Sequence, residues 1–259
     1  MIREHHTRVQ RTARFYLLGA EDHHVREVWF VLHGYGQLAQ RFLRHFTPLD
    51  DGSRLVVAPE ALNRFYLVVP NKTPAAERPV GATWMTREDR EGEIADYVDY
   101  LDTLAAEVID RLPADTRRRA RIRVLGFSQG TATAARWVDR GAVDAHELIL
   151  WGGTLPPEID LSRGAHALRG VPLTLVAGLS DGFATREVVA EQESRLREHA
   201  VPFELRRFDG GHVIDHGALI ELAKKPSRRN EQSEQLSLSR TIERSELSPL
   251  SSRTSERSE

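Results

Sequence analysis

Between residues 12 and 224 the chain alternates between short apolar runs and longer segments with helical spacing, and this alternation leaves few folds open. VWFVLHG (28–34), RLVVAPE (54–60), RIRVLGF (121–127), HELILWGG (146–153), PLTLVAG (172–178) and PFELRRF (202–208) are of strand length and close in turn residues. Most are apolar enough to predict buried strands. Between them, EIADYVDYLDTLAAEVIDRL sets Ile94, Val98, Leu101, Ala105, Val108 and Leu112 along one helical face. Residues 130–140 and 185–200 predict further helices, and 214–223 a short last one. Thr86 with Asp89 three positions later predicts a capping box before the long helix. Strands alternating with helices imply an α/β fold, with a mostly parallel central sheet covered by helices on both faces. TARFYLLG (12–19) predicts an antiparallel edge strand, RFYLVV (64–69) is ambiguous, and NKTPAAERPVGA (71–82) predicts a loop.

In such a sheet, reactive groups gather beyond the carboxyl ends of the strands. Four motifs fall there: HGYGQ after the first core run, GFSQG after the third, GLSDG after the fifth and GGHVID after the sixth. Both GFSQG and GLSDG fit G-x-S-x-G, in which a serine sits on a strained strand-to-helix turn and needs small neighbours. GFSQG leads straight into TATAA, whereas GLSDG continues into Phe183, Arg186 and Glu187. Chain order agrees: with Ser128 as nucleophile, Asp181 and His212 follow as acid and base at separate strand ends. With Ser180, the remaining acids Asp209 and Asp215 would share a loop with His212. Ser128 is therefore the expected nucleophile, and Ser180 a bystander beside Asp181. His212 is preferred to His216 because Gly210 and Gly211 make a turn suited to presenting it. The backbone N–H groups of Tyr35 and Gln129 are the candidate oxyanion donors, and His33 is expected to shape that loop without moving protons.

Together, HGYGQ, GFSQG, the Asp of GLSDG and the His of GGHVID resemble the phospholipase/carboxylesterase branch of the α/β-hydrolase fold, which includes the acyl-protein thioesterases. The resemblance spans about residues 25–222 and implies a three-layer sandwich and a serine hydrolase acting on carboxylic esters. It implies Ser128, Asp181 and His212 as the triad and Tyr35 and Gln129 as oxyanion positions. GATWMT (81–86) is similar to the family's segment before its long helix, which adds Trp84 as a candidate substrate contact. Trp84 and Phe183 either line an acyl pocket or belong to the core. The chain departs from the family's pattern at Thr131, where a glycine is frequent, at Gln37, where an acid is common, and across 61–80. A small-molecule acyl ester is the expected substrate, with thioesters or lysophospholipids as alternatives. The other-class alternative is a hydrolase-fold binding protein without chemistry.

Composition removes several other functions. A net charge of −2 gives no footprint for nucleic acid or an acidic membrane surface. The absence of cysteine excludes thiol nucleophiles, disulfides and Cys-ligated zinc. No metal or organic cofactor is expected: adjacent histidines such as His5-His6 and His23-His24 usually diverge, and no carboxylate cluster is expected to accompany them. No apolar run approaches membrane-spanning length, and the polar N-terminus lacks a signal-peptide core, which predicts a soluble, cytoplasmic protein. Past Lys224 the composition changes. Residues 226–259 lack aromatic residues, are rich in serine, and nearly repeat SRTIERSE (239–246) as SRTSERSE (252–259). Such sequence buries too little apolar area to offset its ordering entropy, so a hydrolase domain over 1–225 is expected to carry a disordered tail, either neutral or a docking segment.

Overall fold

The computed structural model describes residues 1–68, 74 and 77–224. The elements run β1 (Phe15–Leu18), β2 (Glu27–Leu32), α1 (Ala39–Leu43), β3 (Arg54–Pro59), β4 (Asn63–Tyr66), β5 (Val80–Thr83), α2 (Arg90–Arg111), α3 (Ala114–Arg119), β6 (Arg121–Phe127), α4 (Gln129–Arg140), β7 (Glu147–Trp151), β8 (Leu173–Gly178), α5 (Arg186–Glu198), β9 (Phe203–Phe208) and α6 (His216–Lys224), with 3-10 turns at Arg44–Leu49 and Gly164–Gly170. The expected tail, 226–259, lies outside the described residues.

Seven strands form one sheet in the order β1-β3-β2-β6-β7-β8-β9. All pairings are parallel except that of β1, which runs antiparallel along β3 with Phe15 opposite Pro59. Each of the six apolar runs is a strand of this sheet, and the expected edge strand is β1. Their near-continuous hydrophobicity follows from burial on both faces. In β2, Val28, Phe30 and Leu32 enter one core with Tyr97, Leu101 and Val108 of α2 and Ala134 and Trp137 of α4. Trp29 and Val31 enter the other, with Phe42 of α1 and Leu219 and Leu222 of α6. The pleat sends successive side chains to opposite faces, so one run serves both layers.

Two expectations are corrected. The supposed loop 71–82 ends in strand β5, which pairs with β4 in a separate two-stranded sheet, Phe65 opposite Gly81. Its far side is held by the segment after β2: Gly36 N–H donates to Ala82 O at 2.8 Å, and Ala82 N–H to Gln37 O at 3.2 Å. Those partners are distant in sequence, so local composition does not reveal them. The capping box is also absent. Helix α2 starts at Arg90 behind Asp89, which has φ 44° and makes no side-chain cap. Thr86 lies too far upstream to cap it, and its hydroxyl instead accepts the Glu88 N–H at 3.2 Å.

The amino end of the sheet encloses Arg123, 1% exposed, whose guanidinium meets Glu27 Oε1 at 2.8 Å and Glu147 Oε2 at 2.9 Å. It also lies 4.9 Å over the Trp29 ring. This places the buried ion network at the end of the strands opposite the motif-bearing loops. Among the described residues no helix is long and apolar enough to cross a membrane.

Candidate active site

Strand β6 ends at Phe127 and α4 begins at Gln129, so Ser128 alone makes the turn between them. Its backbone takes φ 54° and ψ −118°, a conformation costing on the order of 1–3 kcal/mol that persists only where the surroundings enforce it. The enforcement is steric. A Cβ at Gly126 would stand 2.1 Å from Gly130 O, and one at Gly130 would stand 2.2 Å from Leu32 O. Helix α4 therefore lies directly on the backbone of β6 and β2. Ser128 N–H donates to Trp151 O at 2.9 Å. Its carbonyl accepts both the N–H and the hydroxyl of Thr131, at 3.0 and 2.7 Å. Ser180 is not among the residues with positive φ and is tied into an ordinary turn by its N–H bond to Gly210 O at 2.9 Å. The strained elbow thus falls at Ser128.

Asp181 and His212 come from the turns after β8 and β9. Asp181 Oδ2 lies 2.8 Å from His212 Nδ1, while Oδ1 accepts the N–H groups of Phe183 and Ala184 at 2.8 and 2.9 Å. Burial pushes this carboxyl up, but the His212 hydrogen bond and the two N–H donors outweigh it and hold the group below the ordinary carboxylate range. An ionised Asp181 accepts the Nδ1 proton of His212 and leaves Nε2 as the basic nitrogen. The imidazole packs against Phe127, with ring centres 4.8 Å apart, and against Phe183 at 4.7 Å. Phe127 immediately precedes Ser128, so His212 lies beside the elbow.

Strand β7 separates β6 from β8, and its exit decides whether the ring can cross. Gly152, at φ 64°, follows it, and a Cβ there would stand 3.1 Å from both Nδ1 and Cε1 of His212. Gly152, the first of the two glycines ending HELILWGG, thus makes room for the imidazole, a role the sequence did not reveal. The visible signal was the doublet itself. His216 instead begins α6, with its ring 6.4 Å from that of His45.

The turn after β2 lies on the other side of Ser128, where a Cβ at Gly34 would stand 3.1 Å from Ser128 Cβ. Its amide groups can be accounted for one by one. Gly34 N–H donates to Gln37 Oε1 at 2.8 Å, Gly36 N–H to Ala82 O, and Gln37 N–H to Gly34 O at 3.3 Å. Tyr35 N–H is left without a partner among the described residues, as is Gln129 N–H at the start of α4. These are the two amides expected as oxyanion donors. The Tyr35 side chain is exposed and packs on Phe65 at 5.1 Å.

His33 braces this turn from within the core. Its Nδ1 lies 2.8 Å from Gly34 O, and its Nε2 accepts the Ala61 N–H at 3.1 Å. Complete burial lowers its pKa to about 4, so the ring is neutral at ordinary pH. Trp84, a candidate substrate contact, is only 2% exposed, and its indole N–H donates to His33 O at 2.8 Å. Its position is that of a core brace beneath the turn. Phe183 is 76% exposed and packs against the His212 ring. The side chain of Gln129 adds a clamp missing from the sequence reading, donating to Thr83 Oγ1 at 2.8 Å and Met85 O at 3.0 Å.

One expectation about the histidines is corrected. Carboxylates do accompany them: His6 Nε2 lies 3.2 Å from Glu4 and 3.3 Å from Asp89, and Asp22 lies with His23 and His24. Asp89 reaches His6 only through folding. The histidines themselves are exposed, as expected.

No family model matches the chain, and no curated protein matches it significantly. Solved structures do. A carboxylesterase from Mesorhizobium loti superposes with a TM-score of 0.59 at 20% identity, over 82% of this chain and 95% of that one. Acyl-protein thioesterase 2 from Zea mays gives 0.57 at 15% identity, over 82% and 97%. A carboxylesterase from Bacillus cereus gives 0.53 at 18%, over 81% and 91%. With its mostly parallel seven-stranded sheet, its covering helices and these structural likenesses, the chain has the α/β-hydrolase fold in the form seen in carboxylesterases and acyl-protein thioesterases.

Proposed function

We propose that the protein is a serine hydrolase that cleaves carboxylic esters of small to medium acyl groups through an acyl-enzyme on Ser128. The observation that carries this reading is the hydrogen-bonded Asp181–His212 pair lying against Phe127, next to the strained Ser128.

In the mechanism, Ser128 Oγ forms a bond to the ester carbonyl carbon while its proton passes to His212 Nε2. The carbonyl oxygen becomes an oxyanion and accepts hydrogen bonds from Tyr35 N–H and Gln129 N–H. The intermediate collapses with cleavage of the carbon–oxygen bond, and His212 protonates the departing alcohol. Water then attacks the acyl-enzyme, giving its proton to the same nitrogen, and Ser128 leaves with that proton restored. Asp181 stays ionised throughout and stabilises the imidazolium formed in each half-reaction.

The exposure of Phe183 beside His212 supports a substrate contact by its ring. Thioesters are a second reading, favoured by the likeness to a plant acyl-protein thioesterase. A lysophospholipase activity, and a cytoplasmic, soluble protein of domain 1–225 with a tail, belong to the same proposal. The expected experiment is labelling by a fluorophosphonate probe together with p-nitrophenyl ester turnover. Ser128→Ala should lose both; unchanged turnover in that variant would mean another nucleophile, and absence of turnover in the wild type across an ester panel would favour a binding protein.

A further inference from the structure

Gln37 is conspicuous in the turn beside Ser128 because its side chain as well as its backbone takes part in the turn's hydrogen bonding. Of the four N–H groups from Gly34 to Gln37, Gly34's is taken by Gln37 Oε1 at 2.8 Å, Gly36's by Ala82 O at 2.8 Å and Gln37's by Gly34 O at 3.3 Å. The Gln37 backbone is itself fixed to β5, since its carbonyl accepts the Ala82 N–H at 3.2 Å. The side chain therefore reaches back from an anchored position across its own turn. The carboxamide oxygen lies 3.2 Å, and Ser128 Cβ 3.1 Å, from the point where a Cβ on Gly34 would stand. Gly34 is therefore flanked by the nucleophile and by the Gln37 carboxamide.

We propose that Gln37 is a positioning residue for the oxyanion site: by holding Gly34 N–H it fixes the Gly34–Tyr35 peptide and leaves Tyr35 N–H as the one amide of the turn free for the substrate oxygen. This rests on the reading of Ser128 as nucleophile. The physical basis is that an oxyanion donor acts through preorganisation, so a small misplacement of one amide is expensive at the transition state and nearly silent in substrate binding. A buried or half-buried amide without an acceptor also rotates toward whatever acceptor is near. Without Gln37 Oε1, Gly34 N–H becomes a second, competing donor beside Ser128. Gln37 brings a neutral acceptor to this place. It holds the amide without setting a negative charge where the oxyanion develops.

The test compares the full-length protein with Gln37→Met, which keeps the length of the side chain and removes the amide oxygen. Active sites are counted by fluorophosphonate titration, and kcat, KM and the Ki of a boronic acid that forms a tetrahedral adduct with the serine are measured for each. The expected result is a fall in kcat of about 10- to 100-fold with KM within about twofold, and a rise in the boronate Ki of similar factor. A variant that had merely lost structure would show fewer titratable sites with unchanged constants per site. Unchanged kcat per site, or a lower kcat with an unchanged Ki, overturns the assignment of Gln37. Ser128→Ala, assayed in parallel, separates the two readings: if it stays active the nucleophile is wrong, and if it is inactive while Gln37→Met behaves as wild type, only the role of Gln37 falls.

Discussion

Asp181 Oδ2 and His212 Nδ1 stand 2.8 Å apart although their residues lie on different strands' exits, and the remaining Asp181 oxygen is fully engaged by two backbone amides. The carboxylate cannot rotate without breaking three hydrogen bonds. The imidazole is thereby held in one tautomer and one orientation.

Asp181→Asn should preserve the fold and lower kcat by about 1,000- to 10,000-fold, because the amide NH₂ favours the wrong imidazole tautomer. Ser180→Ala, at the neighbouring position, should stay within about twofold of wild type, since only its backbone is engaged. Steady-state ester hydrolysis of the two variants checks both, and an active Asp181→Asn would remove the acid from the proposed triad.

Gly152→Ala should damage chemistry more than folding. The added methyl would stand 3.1 Å from the His212 ring at a residue with φ 64°. The backbone cost is about 1–2 kcal/mol, while displacement of the imidazole should reduce kcat by about 10- to 100-fold. Thermal melting alongside kcat distinguishes the two effects; equal kcat would mean the ring has room to spare.

Arg123→Met should be among the most destabilising single changes, at about 3–5 kcal/mol, because it takes the paired cation from buried Glu147 at the amino end of the sheet, while Glu27 keeps Arg54. Urea unfolding measures the loss. The burial of Glu147, which raises its carboxyl pKa despite Arg123, makes the unpaired charge costly. A loss of under about 1 kcal/mol would mean the site relaxes into water.

His33 sets a pH dependence of stability. Its folded pKa is about 4, against a reference value of 6.5. Between these values the unfolded chain binds a proton that the folded chain refuses, so stability is full above about pH 6.5 and falls as the pH drops toward 4, by about 3 kcal/mol for this group. The carboxylates with lowered pKa, such as Asp181, add their own loss only below their unfolded values near 4. Urea midpoints at pH 7.5, 6.0 and 5.0 should therefore decline in the wild type and decline less in His33→Gln, where the lowered pKa of His45 still contributes. An identical slope in the variant would assign the effect to another group.

The six parallel strands, the edge strand and the main helices were legible because their signals are local: an apolar run of strand length, or apolar residues every three or four positions. The order of motifs at strand ends was legible too, since in a parallel sheet every strand's carboxyl end faces the same side. That is why Ser128, Asp181 and His212 could be named together, and why GLSDG could be read for its aspartate. Strand β5 and the approach of Asp89 to His6 were not legible, because each depends on a partner far away in the chain.

Amino-acid order alone therefore settled the layer architecture and set the four motifs at one end of the sheet, both consequences of periodicity and chain connectivity. Tertiary structure decided how those groups meet. Only packing of α4 on β6 and β2 forces Ser128 to φ 54°, only the glycine exit of β7 lets His212 lie across to Phe127, and only the hydrogen-bond closure by Gln37 and Ala82 leaves Tyr35 N–H free. Steric exclusion and hydrogen-bond saturation are properties of neighbours in space, and a linear sequence does not state who those neighbours are.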